Sequence, residues 1–72
     1  MENQIFVRVG KFPGAVTEIS LTDGSSISQL LQLAGVTVGD REAIELNGSK
    51  ASLSSTLSDG DSVSIVPNIK GN

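Results

Sequence analysis

The closing stretch of the chain, Leu57 to Pro67, constrains the fold more than any other. It contains Asp59-Gly60, a dipeptide in which the glycine can adopt the positive φ of a tight turn. Val63 and Ile65 then alternate with serines, which is the two-residue period of a half-buried strand. The proline that closes the stretch has no backbone N–H and therefore ends the hydrogen-bonded ladder. We predict a turn, a final strand and a loose tail over 68–72.

The N-terminal part of the chain has the same two-residue period and predicts a hairpin. Residues 5–9 alternate, so that their three β-branched side chains lie on one face and Phe6 and Arg8 lie on the other. Pro13-Gly14 suits the centre of a type II turn, because the glycine can take the positive φ required there. The returning strand is predicted over 16–21.

The next segment has the period of a helix. Ser26 is a suitable N-cap, and Gln29 three residues later completes a capping box. The apolar residues at one-turn spacing form a single stripe, which comprises Ile27, Leu30, Leu31 and Ala34. Leu33 lies off the centre of that stripe, and Gly35 ends the helix. Because an isolated helix of this length is marginal, we expect the stripe to pack on the sheet.

The chain after the helix predicts a second, shorter hairpin. Val36 and Val38 lie in a connecting segment, where they can fill the edge of the core. A strand is predicted over 43–46, followed by Asn47-Gly48, the dipeptide most favoured in a two-residue type I′ turn. A short edge strand over 49–51 is therefore expected to pair back.

The segment 52–58 is polar except for Leu53 and Leu57, so it is either one turn of irregular helix or a loop held at both leucines. The predicted order is then strand, strand, helix, strand, short strand, strand. A last strand that follows a helix-containing crossover can pair parallel with the first. One sheet layer and one helix layer make an α+β domain.

Four pieces of the sequence, taken in order, resemble the ThiS/MoaD family of ubiquitin-like β-grasp sulfur carriers. They are the strand at 5–9, the start of the helix, Leu46-Asn47-Gly48, and the Leu-x-Asp-Gly-Asp-x-Val-x-Ile-x-Pro run that ends at Pro67. The resemblance implies a β-grasp fold of pattern ββαβ(β)β, with a mixed sheet of order 2-1-5-3-4 packed on one helix. It also implies one domain over 1–72, with a flexible C-terminal tail at 68–72.

The tail is the working part of that family, in which an E1-like enzyme adenylylates a terminal Gly-Gly carboxylate that is then converted to a thiocarboxylate. Here the corresponding residues are Lys70, Gly71 and Asn72, without a diglycine. An E1-like enzyme threads the tail through a narrow channel, where glycine is favoured because it has no Cβ. The side chain of Asn72 is expected to hinder that passage, and trimming it would leave Lys70-Gly71.

Composition excludes several classes of function. The 72 residues include no Cys and no His, so the chain lacks a thiolate nucleophile, a zinc site and the commonest general base. We therefore expect neither an enzyme nor a bound cofactor or metal. Acidic pairs such as Asp59 and Asp61 are explained by turn geometry, and the serines by caps and loops.

Charge and hydropathy narrow the partners. Eight acidic residues outnumber five scattered basic ones and give a net charge of −3, so no nucleic-acid-binding surface is expected. The N-terminus has neither the basic nor the apolar region of a signal peptide, and no run is long enough to span a membrane. These features predict a soluble, cytoplasmic protein without a membrane partner.

The outward face of the first and last strands is a second candidate site, beside the tail. The residues assigned to this partner-binding surface are Phe6, Arg8, Phe12, Val66 and Ile69. Lys11 is expected to join Arg8 at its rim. Exposed apolar residues with a basic rim suit a protein interface. Alternatively, Phe12 folds inward and Phe6 is a single surface apolar residue, which is ordinary in proteins.

Two functions remain open. One is a small non-enzymatic module that binds a protein partner, such as an E1-like adenylyltransferase or a cofactor-biosynthesis enzyme, through the exposed sheet face. The other is a sulfur carrier or ubiquitin-like modifier that an E1-like enzyme activates at its C-terminal tail. The residue Asn72 favours the first.

Overall fold

The computed structural model of the chain describes residues 3–11 and 14–67. In these ranges the elements are β1 (Gln4–Lys11), β2 (Val16–Thr22), α1 (Ile27–Ala34), β3 (Glu42–Leu46), β4 (Ser49–Ala51) and β5 (Ser62–Pro67). The predicted order of elements is confirmed. The type II turn predicted at Pro13-Gly14 and the tail predicted at 68–72 involve residues outside the described ranges.

The strands form one sheet in the order β2-β1-β5-β3-β4. β1 and β5 are parallel neighbours, whereas the other three neighbouring pairs are antiparallel. The type I′ turn between β3 and β4 is confirmed by positive φ values at both central residues, 53° at Asn47 and 87° at Gly48. This is the 2-1-5-3-4 sheet of a β-grasp fold.

The helix begins and ends where the sequence predicts. Ser26 Oγ accepts the Gln29 backbone N–H at 3.3 Å, and Gln29 Oε1 accepts the Ser26 backbone N–H at 2.9 Å. These two bonds form the predicted capping box. Gly35 ends the helix with a φ of 72°, in the left-handed region that glycine favours. Local sequence therefore specifies both ends of α1.

The core lies between α1 and one face of the sheet, which we call the inner face. Its buried residues are Ile5, Val7, Val9, Leu21, Ile27, Leu30, Leu31, Ile44, Leu57, Val63 and Ile65. The predicted helix stripe packs on this face, and Val36 and Val38 pack against its margin. Leu33 lies outside the core, with 63% of its surface exposed.

The loop before β5 is held differently from the prediction. Leu57 is buried as expected, but Leu53 is 49% exposed, so the prediction of two leucine anchors is wrong for Leu53. The backbone holds that part of the loop, because the Ser28 N–H donates to the Leu53 carbonyl at 2.9 Å and the Ile27 N–H donates to the Ser55 carbonyl at 3.0 Å. These N–H groups in the first turn of α1 have no partner within the helix. The loop carbonyls of Leu53 and Ser55 supply these partners.

Candidate functional site

The face of the sheet opposite the helix, which we call the outer face, carries the candidate binding residues. Along β1 the residues alternate between the two faces, and Ile5, Val7 and Val9 are at most 4% exposed on the inner face. Phe6 on the outer face is 52% exposed, and Arg8 is also exposed. The sequence therefore placed both residues on the correct face.

Phe6 and Val66 lie at opposite ends of the outer face. The Gly60 N–H donates to the Phe6 carbonyl at 2.9 Å, so Phe6 is level with the turn before β5. Arg8 pairs with Ser62, and β5 runs parallel to β1 from there to Ile65, one residue before Val66. At about 3.3 Å per residue, Phe6 and Val66 are separated by roughly 20 Å along the strands. The predicted surface has two ends, which we call the Phe6 end and the Val66 end.

The Phe6 end adjoins a hydrogen-bonded turn. The Phe6 N–H donates to Asp59 Oδ1 at 2.8 Å, which ties β1 to the turn before β5. Asp61 accepts from the Asn47 side-chain amide at 3.0 Å and from the Ser58 N–H at 2.8 Å. Both carboxylates therefore accept hydrogen bonds that hold the turn. This agrees with their assignment to turn geometry and not to acid–base chemistry.

At the Val66 end, the outer face around Val66 carries small and apolar residues. Val66 pairs with Ala43 of β3, and Val16 of β2 is 60% exposed opposite Gly10 of β1. A Cβ on Gly10 would lie 2.6 Å from the carbonyl oxygen of Ala15, so the close approach of the two strands requires glycine. Without a side chain there, the outer face between Val16 and Ser64 is flat.

Sequence reasoning missed two members of the Val66 end, Val16 and Ala43. A signal for Val16 was present, because strict alternation in β2 places it on the same face as Glu18 and Ser20, where an apolar residue is unexpected. Ala43 carries no such signal. Its position follows only from the pairing of β3 with β5.

The expectation that Lys11 rims the outer face is wrong. Lys11 pairs with Ile65 and therefore shares the inner face with Val9. Its Nζ lies 3.2 Å from Oε1 of Glu42, which also accepts the Gly39 N–H at 2.8 Å. The Gly39 hydrogen bond, followed by that of Lys11, lowers the pKa of Glu42. Lys11 thus links the ends of β1 and β3 on the helix side.

Phe12, Ile69, Lys70, Gly71 and Asn72 lie outside the described residues. Phe6, Arg8 and Val66 are the predicted site residues that the structure places. Among residues 3–11 and 14–67 there is no group of three or more acidic side chains arranged to hold a metal ion. Within the same ranges, α1 is far too short to cross a membrane.

The topology and the solvent-exposed outer face define a small ubiquitin-like module of the β-grasp class. The model of the ThiS family matches residues 4–71, and the chain belongs to this family. No curated protein sequence matches it. Its fold is similar to the solution structure of the Haloferax volcanii HVO 2177 protein, with a TM-score of 0.71 at 18% identity. The match covers 96% of this chain and 88% of that one.

Members of the ThiS family are small carrier modules that work with partner proteins such as E1-like activating enzymes. Family membership makes this chain a small ubiquitin-like module of the sulfur-carrier type. The exposed outer face of the sheet is the candidate surface for contact with such a partner.

Proposed function

We propose that this chain is a non-enzymatic module that binds a protein partner through the outer face of its sheet. The observation that carries the proposal is the exposure of Phe6, which leaves 52% of an aromatic side chain in water beside fully buried neighbours. Aromatic residues and arginine are enriched in protein interfaces, and Arg8 lies on the same face. Phe6 is the expected anchor.

The dimensions of the outer face suit a single partner. A standard interface covers about 800 Å² on each protein, which corresponds to a patch nearly 30 Å across. The roughly 20 Å between Phe6 and Val66 fits within such a patch at a strand rise of about 3.3 Å. One partner can therefore contact an aromatic anchor at one end and the flat surface around Gly10 and Val66 at the other.

The binding test uses two charge substitutions of the same kind. Phe6→Asp should abolish binding to the E1-like adenylyltransferase encoded in the same genome, as measured by titration calorimetry. Leu33→Asp is the matched control, because Leu33 is also a large, exposed apolar residue but lies on the helix side of the domain. Both variants should keep the folded amide spectrum. Equal affinities for Phe6→Asp and the parent chain would refute the outer-face proposal.

Activation at the C-terminal tail is the second candidate, and the family match through residue 71 favours it. In that reaction the terminal carboxylate attacks the α-phosphorus of ATP and releases pyrophosphate, and hydrosulfide then attacks the acyl carbon and displaces AMP to leave a thiocarboxylate. The mass of the intact chain reports this directly, because oxygen is replaced by sulfur.

The two candidates make different predictions for the same deletion. For a binding module we expect the chain to retain Asn72, to stay unreacted with ATP and the E1-like enzyme, and to bind equally well without residues 71 and 72. For a carrier, the mass changes on incubation, and the deletion abolishes that change. A deletion that removes function while Phe6→Asp is silent would favour the carrier.

A further inference from the structure

The two edges of the sheet differ in length and protection. β4 has three residues and includes Lys50, which are two common ways to keep an edge from pairing. β2 has seven residues, and its one charged residue is Glu18. Neither a proline nor a lysine interrupts it. β2 is therefore the edge on which another strand can be added.

The open backbone groups of β2 can be identified from its register. The Asp23 N–H donates to the Asn3 carbonyl at 2.7 Å, so these two residues form a hydrogen-bonded pair. Bonded pairs alternate along an antiparallel ladder, which turns the backbone groups of Ile19 and Leu21 toward β1. The N–H and carbonyl groups of the intervening residues point outward. These residues are Val16, Glu18, Ser20 and Thr22.

Bonds on the other side of β1 agree with this assignment. The Arg8 N–H donates to the Asp61 carbonyl at 3.0 Å, and the Phe6 carbonyl accepts from Gly60. The even-numbered residues of β1 thus face β5, and its odd-numbered residues face β2. On β2, the Thr22 carbonyl also accepts from the Ser25 N–H and Oγ. Within residues 3–11 and 14–67, the outward backbone groups of Val16, Glu18 and Ser20 have no partner.

We propose that β2 pairs antiparallel with β2 of a second copy of the chain, about a two-fold axis at Ile19. The outward groups meet only when even-numbered residues face even-numbered residues. An axis at Glu18 would oppose two carboxylates, which is destabilising. An axis at Ile19 opposes each Glu18 to Ser20 of the other copy and uses all seven residues. Axes farther from the centre shorten the ladder.

The groove on the helix side of β2 also favours a second copy of the chain as the partner. A groove of about 440 Å³ runs beside the strand, and Leu33, Gln29 and Gln32 of α1 form its far wall. The residues that line it are uncharged. In the proposed register Thr17 of the second copy lies opposite Leu21 and next to this groove. Its methyl group can contact Leu33, which is otherwise 63% exposed.

The association is expected to be weak and to stop at two copies. One pair of seven-residue strands buries less than the approximately 1,200 Å² of a stable complex, so association should appear only near millimolar concentration. The contact is isologous, so it ends at the dimer. It also places both outer faces on one side of a continuous sheet. The pairing uses backbone groups of β2 and leaves the outer-face side chains, including that of Val16, on the solvent side. The dimer therefore does not depend on the proposed function.

Amide spectra give a residue-level test. Between about 0.05 and 2 mM protein, a range that brackets weak association, the Glu18 and Ser20 amides should shift and gain protection from hydrogen exchange. The Ile19 and Leu21 amides are the internal control, because they already bond to β1. Sedimentation should show a dimer over the same range. A monomer at every concentration, or equal shifts at odd and even positions, would overturn the proposal.

Charge variants at Ser20 test the register and the nature of the occupant. Ser20→Lys faces Glu18 twice in the dimer and should tighten association about two- to tenfold, whereas Ser20→Glu should weaken it by a similar factor. Ser20→Pro removes an outward N–H and should abolish the dimer. Circular dichroism checks that each monomer stays folded. If Ser20→Glu instead improves binding of a lysine-rich extended peptide while no dimer forms, the edge serves a basic partner and self-pairing is refuted.

Discussion

The two faces of β1 differ sharply in exposure. On the inner face Val7 is fully buried, and on the outer face its neighbour Phe6 is 52% exposed. A single helix can cover only one side of a sheet, so a domain of this size has one core face and one solvent face. Because the stability of the fold depends on the inner face, the residues of the outer face are not constrained by packing and remain in contact with solvent.

The largest expected effect comes from placing the same charge on each face of β1. Val7→Asp should prevent folding, since a buried carboxylate without a partner costs about 4 kcal/mol or more. Phe6→Asp should lower the free energy of unfolding by less than about 1 kcal/mol, through weaker strand propensity. Urea denaturation followed by circular dichroism measures both. Comparable losses in the two variants would show that the outer face also contributes to the core.

A smaller effect is expected from truncating two leucines of α1. Leu31 is 5% exposed against the inner face, and Leu31→Ala should cost about 2 to 4 kcal/mol. Leu33→Ala is the matched control and should cost no more than about 0.5 kcal/mol, apart from any effect on self-association. A cost for Leu31→Ala below about 0.5 kcal/mol would mean that the helix buries a different side.

The smallest effect concerns pH and the end of the inner face. The Gly39 hydrogen bond and Lys11 hold the pKa of Glu42 below its ordinary value of 4.5 in the folded state. The ionised form is therefore stabilised by folding, and this contribution is complete above pH 4.5 and lost as pH falls through the folded-state pKa. Carboxylates titrate between roughly pH 3 and 6. In this range, Glu42→Gln should make the free energy of unfolding less dependent on pH. If the pH dependence of stability is unchanged in this variant, protonation of Glu42 is not coupled to folding through its hydrogen bond to Gly39.

Part of the outer face could be predicted from the sequence, and the features that were missed, apart from Val16, have a common cause. Alternation alone assigned Phe6 and Arg8 to the outer face. The distance between Phe6 and Val66 depends on how β5 aligns with β1, two strands that are far apart in sequence. The partner of Lys11 depends on the same alignment, continued to β3. No local pattern encodes a register between distant strands.

By itself, the sequence determined the features that depend on neighbouring residues: the capping box at Ser26, the helix end at Gly35, the Asn47-Gly48 turn and the faces of the residues within the predicted alternating strands. These follow from backbone geometry within a few residues. The tertiary structure alone decided that Leu57 is buried while Leu53 is exposed, and that the outer face has two separate ends. The physical reason is that burial and register are set by packing between distant segments, which short-range patterns do not contain.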